Sequence, residues 1–137
     1  MTSFISKNVE DTYELANKIA SKLYGGDIIL LNGDLGAGKT TFTKGLAKAL
    51  GVEEVVTSPT FTFMKEYHGR IPLYHFDMYR VEDEDELYEL GLNEYLYMQG
   101  VCVIEWNKFE DIKNPIVINI KTMDDDKRYF EISGIEL

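Results

Sequence analysis

Residues 33–40 constrain the fold of this chain more than any other part of its sequence. Glycine stands at the first and sixth positions of the stretch, lysine at the seventh and a hydroxyl residue at the eighth. In order, the residues are Gly33, Asp34, Leu35, Gly36, Ala37, Gly38, Lys39 and Thr40. Glycines let a backbone wrap around an anion and turn its N–H groups inward. The spacing is that of a phosphate-binding loop, so we expect the lysine to contact the terminal phosphates of a nucleotide and the threonine hydroxyl to bind magnesium.

The residues on either side of the loop supply the context that such a loop requires. Residues 27–32 form a largely apolar run, which is typical of a buried parallel strand. Residues 39–50 follow with apolar side chains at helical spacing, and Gly51 stands where a C-terminal cap belongs. A strand, a glycine-rich turn and a helix in this order direct the positive end of the helix dipole at a bound anion.

The rest of the sequence predicts strands that alternate with helices. We expect an edge strand at 4–5, followed by a helix that Asn8 or Ser6 caps and that the glycines at 25–26 end. A hairpin of 61–67 and 71–78 and short helices at 84–90 and 93–98 are expected in the middle of the chain. The last expected elements are a buried strand at 101–105 and a strand pair at 116–120 and 128–132. This pattern predicts a single α/β domain over residues 1–137. Its expected architecture is a three-layer, P-loop NTPase-like fold in which helices flank a central mixed sheet that has an antiparallel extension at the C-terminus.

Charge and cysteine content limit the classes of partner and the cellular compartment. The net charge is −10, which disfavours autonomous binding to DNA or RNA. A role in an RNA pathway is therefore expected to depend on a partner protein. The single cysteine, Cys102, cannot form an internal disulfide, and no apolar run approaches the roughly 20 residues that cross a bilayer. With no signal-peptide pattern at the start of the chain, we expect a cytoplasmic protein that does not bind membranes.

Two acidic side chains lie at the ends of predicted strands. Asp77 is near the end of one strand and Glu105 ends another. Carboxylates at such positions beside a phosphate-binding loop are suited to contact magnesium or the attacking water, although each could also be an ordinary solvated strand end. Alternation puts His75 on the same face as Asp77, but a histidine alone is more often a packed structural residue. Trp106, directly after the second acid, is a candidate to cover the nucleotide, with an ordinary core residue as the alternative.

A hydroxyl-rich loop at 57–60 follows the predicted helix. In P-loop switches, a loop at this position senses the γ-phosphate through magnesium. Pro59 restricts Ser58 to extended backbone conformations. An ordinary capped turn is the alternative for this loop.

Other nucleotide-dependent activities are weaker interpretations of the same pattern. Residues 107–110 imitate the N-K-x-D signature that recognises guanine, but the fourth residue is Glu110. Residues 77–80 lack the glycine of a GTPase D-x-x-G turn, and no arginine-rich lid indicates a small-molecule kinase. The acidic run at 82–86 is typical of a solvated helix start, with docking to a basic partner as the alternative.

Four blocks together resemble the TsaE (YjeE) family of bacterial ATPases over roughly residues 6–106. They are the loop with Thr41 and Phe42, the Thr-Ser-Pro-Thr-Phe run at 57–61, the His-Phe-Asp-Met-Tyr-Arg run at 75–80 and the Ile-Glu-Trp run at 104–106. The last three blocks are more discriminating than the loop. The family often has proline after the Glu-Trp pair, where this chain has Asn107.

The resemblance implies a role in making threonylcarbamoyladenosine in tRNAs that read codons beginning with A. Family members act with the proteins TsaB and TsaD, contact tRNA only through that complex, and hydrolyse ATP to support repeated turnover. The implied magnesium ligands are Thr40 and Glu105, and the implied catalytic residues are Lys39, Thr60, Asp77 and Glu105. The implied ATP-binding residues are Thr12 near the adenine, Gly33, Asp34, Leu35, Gly36, Ala37, Gly38, Lys39, Thr40, Thr41, Trp106 and Arg128.

Three activities are compatible with these residues. The first is a slow ATPase stimulated by partners, which works by positioning and charge stabilisation. The second is an adaptor in which ATP orders the loop at 57–60 and hydrolysis is not essential. The third is a small-molecule kinase.

Overall fold

The computed structural model of the chain describes residues 1–34, 36–59 and 62–137. Within these residues, seven strands form one mixed sheet. The strands are β1 (Thr2–Ser6), β2 (Ile28–Asn32), β3 (Met64–Tyr67), β4 (Leu73–Asp77), β5 (Val101–Glu105), β6 (Ile116–Thr122) and β7 (Arg128–Ser133). The α-helices are α1 (Val9–Ala20), α2 (Lys39–Ala49) and α3 (Glu84–Glu89), and short 3-10 helices cover Leu92–Tyr95 and Asp124–Asp126.

The centre of the sheet is parallel. Neighbouring strands follow the order β1-β7-β6-β2-β5-β4-β3, in which β6, β2, β5 and β4 pair in parallel. β3, β7 and β1 pair antiparallel toward the two margins, so β1 is the edge strand that the sequence predicted. Because parallel strands point the same way, the residues that follow β2, β4 and β5 meet at one edge of the sheet. The predicted mixed sheet with an antiparallel C-terminal extension is confirmed.

Helices cover both faces of this sheet. α1 and α2 pack against each other on one face, over a core that includes Ile29, Leu31 and Val103. On the other face, Leu87 of α3 belongs to a second buried cluster with Phe76 of β4. These three layers confirm the predicted fold class. Among the residues that the structure describes, no helix is both long enough and apolar enough to span a membrane.

α1 starts as predicted and ends earlier than predicted. The Asn8 side chain accepts the backbone N–H of Asp11 at 2.8 Å, so Asn8 caps the helix. The glycines at 25–26 were the expected end, but the helix stops before them. Past its last residue, the N–H groups of Lys22 and Leu23 bond to carbonyls three residues back, at 3.0 and 3.2 Å. This tighter final turn satisfies carbonyls that a longer helix would have used.

β3 and β4 form the predicted hairpin but are shorter than the expected ranges, 61–67 and 71–78. Phe63, directly before β3, has a φ of +63°, which takes the backbone out of the extended region. The first residue of the expected range lies outside the described part of the chain. β4 is buried along its whole length. His75 and Asp77 are therefore inside the protein and are not solvated strand positions.

The acidic run at 82–86 has a local role at the start of α3. Asp83 is the N-cap, and its side chain accepts the backbone N–H of Glu86 at 3.0 Å. The Glu84 carboxylate accepts the N–H of Glu110 at 2.8 Å. Carboxylates are favourable near the positive end of a helix dipole, so the run serves as the helix start that the sequence predicted.

Candidate functional site

The N-terminus of α2 is open to an anion. Gly38 occupies the N-cap position, and no side chain of the described residues caps the helix there. The first turn of α2 contains no acidic residue. α1 and α3 differ, because Asn8 and Asp83 cap them and acidic residues occupy their first turns. The backbone N–H groups and the positive dipole end of α2 can therefore bind a phosphate.

Two glycines of the loop before α2 have backbone conformations that other residues rarely adopt. φ is +81° at Gly36 and +107° at Gly38, a region in which an L side chain is strained. The N–H of Ala37 donates to the Asp34 carbonyl at 2.9 Å, which closes a turn within the loop. The Ala37 methyl group is buried. Leu35, a predicted ATP-binding residue, lies outside the described residues.

Lys39 is the first residue of α2 and carries a buried ammonium group. Its Nζ atom lies 3.7 Å from Oε1 of Glu105, and the two side chains are 8% and 7% exposed. The same atom is 4.2 Å from the centroid of the Trp106 ring. At 3.7 Å the contact with the carboxylate is an ion pair and not a direct hydrogen bond. Lys39 is thus held by charge between a carboxylate and an aromatic face, both of which attract a cation.

Trp106 reaches this position because the chain turns sharply after β5. Its φ is +55°, a left-handed conformation directly after the extended residues of the strand. The indole packs edge to face against Tyr79, with 5.1 Å between the ring centroids, and 37% of the residue remains exposed. One part of the ring therefore contacts buried charge while another part faces solvent.

Glu105 has a different partner on each carboxylate oxygen. Oε2 is 2.5 Å from Nε2 of the fully buried His75, while Oε1 faces Lys39. Asp77 is in register beside Glu105 on the neighbouring strand, and its Oδ1 accepts the N–H of Tyr79 at 3.0 Å. The two strand-end acids that the sequence singled out therefore lie side by side, together with a lysine and a histidine.

A cavity of about 300 Å³, which we call the loop cavity, lies between these groups. The phosphate loop, the start of α2, the ends of β4 and β5 and the segment before β3 line it. Its lining residues are Gly36, Gly38, Lys39, Thr40, Thr41, Ser58, Asp77, Glu105, Trp106 and Arg128. The structure therefore brings together most of the residues that the sequence predicted to act on a nucleotide.

A second cavity, of about 440 Å³, lies between the end of β1, the start of α1 and β7; we call it the α1 cavity. Thr12 lines it, whereas Lys39 and Glu105 line only the loop cavity. Gly38, Thr41 and Arg128 line both, so the two cavities adjoin. Cavities of about 440 and 300 Å³ lie in the size range of small-molecule sites.

Three residues at the base of the α1 cavity share a chain of hydrogen bonds. The Ser6 hydroxyl donates to the Asn8 carbonyl at 2.8 Å and lies 2.6 Å from the Thr12 hydroxyl. A serine hydroxyl has one proton, and the carbonyl has none to give. The Thr12 hydroxyl must therefore donate to Ser6, and what it can offer to a ligand is an acceptor lone pair.

Arg128, at the start of β7, extends along both cavities. Its Nη2 atom reaches the Gly36 carbonyl at 3.5 Å, and its Nη1 atom donates to the Lys127 carbonyl at 3.2 Å. The guanidinium therefore lies beside the loop backbone. A planar cation with several N–H donors in this position is suited to contact phosphate oxygens.

Some predicted site residues do not line the loop cavity or lie outside the described residues. Gly33 and Asp34 line a separate depression of about 280 Å³, which they share with Asn119 and Lys121 and not with the loop cavity. Thr60, predicted as a catalytic residue in the switch-like loop, lies outside the described residues. Its neighbour in that loop, Ser58, does line the loop cavity.

The donor groups of the loop cavity fit magnesium. The Thr40 hydroxyl and the carboxylates of Asp77 and Glu105 supply oxygen atoms, which are the donors that Mg²⁺ prefers. The described residues contain no cluster of three or more His, Cys, Asp or Glu side chains that would hold a metal unaided. Mg²⁺ is commonly bound by one or two carboxylates together with substrate phosphates, so this set suits a metal that arrives with a nucleotide.

His75 and Ser6 were not among the sequence-predicted site residues. His75 had a signal, because strand alternation placed it on the face of Asp77, but its contact with Glu105 depends on the pairing of β4 with β5. Ser6 was considered only as a helix cap. Its contact with Thr12 arises because the chain turns from β1 directly into α1.

The parallel sheet centre, the glycine loop after β2 and the helix that begins at Lys39 define a protein with the P-loop fold. The crystal structure of Bacillus subtilis YdiB superposes on this chain with a TM-score of 0.80 at 41% sequence identity, covering 96% of this chain and 83% of that one.

Sequence comparisons give the family. The sequence profile of the family described as "Threonylcarbamoyl adenosine biosynthesis protein TsaE" matches residues 6–130. The Bacillus subtilis "tRNA threonylcarbamoyladenosine biosynthesis protein TsaE" is 48% identical over 132 residues, which are 93% of this chain and 82% of that protein. The protein of the same name from Treponema pallidum is 38% identical over 132 residues, 94% of this chain and 98% of that protein. This chain belongs to the TsaE family, as the resemblance indicated.

Proposed function

We propose that this chain binds ATP with magnesium at its phosphate loop and hydrolyses the ATP as a subunit that acts with TsaB and TsaD. The joint product is threonylcarbamoyladenosine in tRNA. One observation carries the proposal: a single cavity gathers a lysine, two strand-end carboxylates, a threonine hydroxyl and an uncapped helix N-terminus. The names of the Bacillus and Treponema relatives support the pathway.

Lys39 and the start of α2 supply the positive charge for the phosphates. The lysine is ion-paired with Glu105 at 3.7 Å without a direct hydrogen bond, so a small movement of its flexible side chain exchanges that carboxylate for a phosphate oxygen. The backbone N–H groups at the uncapped helix end donate to the same anion. Arg128 adds a second cation beside the loop. Such fixed charges stabilise the negative charge that spreads over a transferring phosphoryl group.

Glu105 and Asp77 have different roles in the proposed reaction. Thr40 and Glu105 would hold Mg²⁺, which when bound neutralises phosphate charge. Asp77 then remains to position the attacking water and accept its proton. Its Oδ1 is fixed by the N–H of Tyr79 at 3.0 Å, which orients the carboxylate within the loop cavity.

The α1 cavity favours adenine over guanine. Because the Thr12 hydroxyl donates to Ser6, it faces the cavity as an acceptor, which suits the amino group of adenine and opposes the carbonyl of guanine. The segment that imitates a guanine signature is engaged elsewhere. Asn107 bonds to the backbone of Phe109 through both side-chain atoms, and the Lys108 ammonium donates to the carbonyl oxygens of the loop after β4.

The proposal includes indirect contact with tRNA and a cytoplasmic location, where tRNA and ATP are both present. A chain with a net charge of −10 is repelled by a polyanion. The partners are therefore expected to hold the tRNA while this subunit contacts them.

The test is an ATPase assay with and without purified TsaB–TsaD, run in parallel with a measurement of tRNA modification. Stimulated ATP turnover together with repeated rounds of modification is the expected result. Lys39→Ala should abolish ATP binding by calorimetry, while Lys44→Ala, an exposed lysine on the same helix, should leave it unchanged. Unchanged ATP affinity in the Lys39 variant would refute the assigned site.

A further inference from the structure

His75 is a buried histidine with one ring nitrogen in a strong contact and the other in none. Its Nε2 atom lies 2.5 Å from Oε2 of Glu105, and the residue is fully buried. Nδ1 is buried as well and has no hydrogen-bond partner among the described residues. An apolar side chain would fill this core position without leaving a polar atom unsatisfied. The contact with Glu105 is the feature that only the imidazole supplies.

The contact fixes which nitrogen carries the proton. A carboxylate accepts hydrogen bonds, so Nε2 must be the donor at a separation of 2.5 Å. Nδ1 has no hydrogen-bond partner among the described residues. The ring acts on Glu105 as a single N–H donor.

The strand register explains why the contact divides the carboxylate. Glu105 pairs in register with Asp77, and His75 lies two residues earlier on the same face of β4. The Glu105 side chain therefore leans back along β4, so that Oε2 reaches the histidine. Oε1 is left facing Lys39 and the loop cavity.

We propose that His75 is a positioning residue that anchors one oxygen of Glu105 and thereby presents the other to the phosphate loop and to Mg²⁺. The inference rests on the proposed nucleotide site. A carboxylate anchored through one oxygen does not need to be ordered when a metal binds, so the affinity for the metal rises. Removing the anchor should weaken the contribution of Mg²⁺ to ATP binding and leave the contributions of Lys39 and the loop backbone in place.

The experiment measures ATP affinity by calorimetry, once with excess Mg²⁺ and once with EDTA, for the wild type and three variants. His75→Gln keeps an N–H donor at about the reach of Nε2. His75→Asn is one methylene shorter and loses that reach, and His75→Leu has no donor. His68→Leu is the matched control, because His68 is exposed and its hydrogen bonds and ion pairs within the described residues are with Glu54 and Glu66.

The ratio of the two affinities reports the contribution of Mg²⁺. We expect this ratio to be the same for the wild type, His75→Gln and His68→Leu. For His75→Asn and His75→Leu we expect the ratio to be roughly 10- to 100-fold lower. ATP affinity in EDTA should not fall in any variant. If the leucine variant does not fold, the comparison of His75→Gln with His75→Asn still tests the inference, because both side chains are amides and differ in length by one methylene.

Two results would overturn the inference. A full Mg²⁺ contribution in the asparagine and leucine variants would show that Glu105 needs no anchor. An equal fall of affinity with and without Mg²⁺ in all three His75 variants would show that the histidine only supports the fold. If the wild type itself binds no ATP, the proposed function fails first and this inference fails with it.

Discussion

Replacing Glu105 with glutamine removes one charge from the loop cavity and changes little else. The amide oxygen of glutamine can still accept the Nε2–H of His75, so the shape and the hydrogen bond of the site are kept. What is lost is the attraction between the Glu105 carboxylate and the Lys39 ammonium. The variant therefore tests the charge arrangement separately from the packing.

The size of the effect on stability follows from the ion-pair geometry. At 3.7 Å, two unit charges attract by about 4 kcal/mol at an effective dielectric constant of about 20. The Trp106 face still attracts the ammonium in the variant. We therefore expect Glu105→Gln to lower the free energy of unfolding by about 3 kcal/mol, the low end of the range for unpairing a buried charge. For a chain of 137 residues this lowers the melting temperature by roughly 10 °C. A thermal melt without nucleotide measures it.

The effect on nucleotide binding has the opposite sign when Mg²⁺ is absent. The phosphates no longer compete with a carboxylate for Lys39 and are no longer repelled by it. ATP in EDTA should therefore bind at least about tenfold more tightly to Glu105→Gln than to the wild type. With Mg²⁺ present, the further gain in affinity should largely disappear, because a neutral amide is a poor ligand for this cation.

A Glu105→Gln variant that melts at the wild-type temperature and keeps the wild-type response to Mg²⁺ would refute this prediction. Weaker binding of ATP in EDTA would also refute it, since it would mean that Glu105 assists Lys39 instead of competing for it. Glu89→Gln is the matched control, because Glu89 is exposed on α3. It should leave all three measurements unchanged.

Three further predictions concern other residues. Asp77→Asn should keep ATP affinity and lower the turnover rate roughly 100-fold, because an amide cannot accept a proton from water; repeated tRNA modification without turnover would instead indicate a nucleotide-gated adaptor. Ser6→Ala should lower the ratio of ATP to GTP affinity about tenfold by calorimetry, because the Thr12 hydroxyl can then donate to a base carbonyl; an unchanged ratio would exclude the hydroxyl chain. Burial raises the pKa of the Cys102 thiol from 9.0 to about 12. The folded state thus favours the neutral thiol, a stabilisation that is complete below about pH 9 and is lost as the pH rises toward about 12. Urea titrations should show the loss in the wild type and not in Cys102→Ala, and identical pH profiles would contradict it.

The fold could be predicted because its signals are local. The apolar run before the loop, the helical spacing from Lys39 and the glycine at position 51 each lie within a dozen residues. β2, α2 and the strand at 101–105 were found within one residue of their expected ends. Alternation along β4 also placed His75 and Asp77 on one face, because strand geometry fixes the side-chain direction.

The parts that could not be predicted depend on long-range pairing. The contact between His75 and Glu105 joins residues 30 positions apart and requires the parallel register of β4 with β5. Trp106 has a left-handed backbone and contacts both Lys39 and Tyr79, and the sequence gives no sign of this arrangement. No local propensity contains this information, so site geometry was less predictable than the order of elements.

The charge arrangement of the loop cavity selects for a ligand that carries both signs of charge. An anion alone that captures Lys39 leaves the buried Glu105 carboxylate without its cation, and a metal ion alone that captures Glu105 leaves the buried ammonium without its anion. Each of these states has an unpaired charge in a site that is less than a tenth exposed, which is costly. In the proposed function, a nucleotide that arrives with its magnesium ion would give each group a new partner in one step. On that proposal, the ion pair between Lys39 and Glu105 keeps both buried charges paired until the ligand arrives, which accounts for two opposite charges beside the phosphate loop.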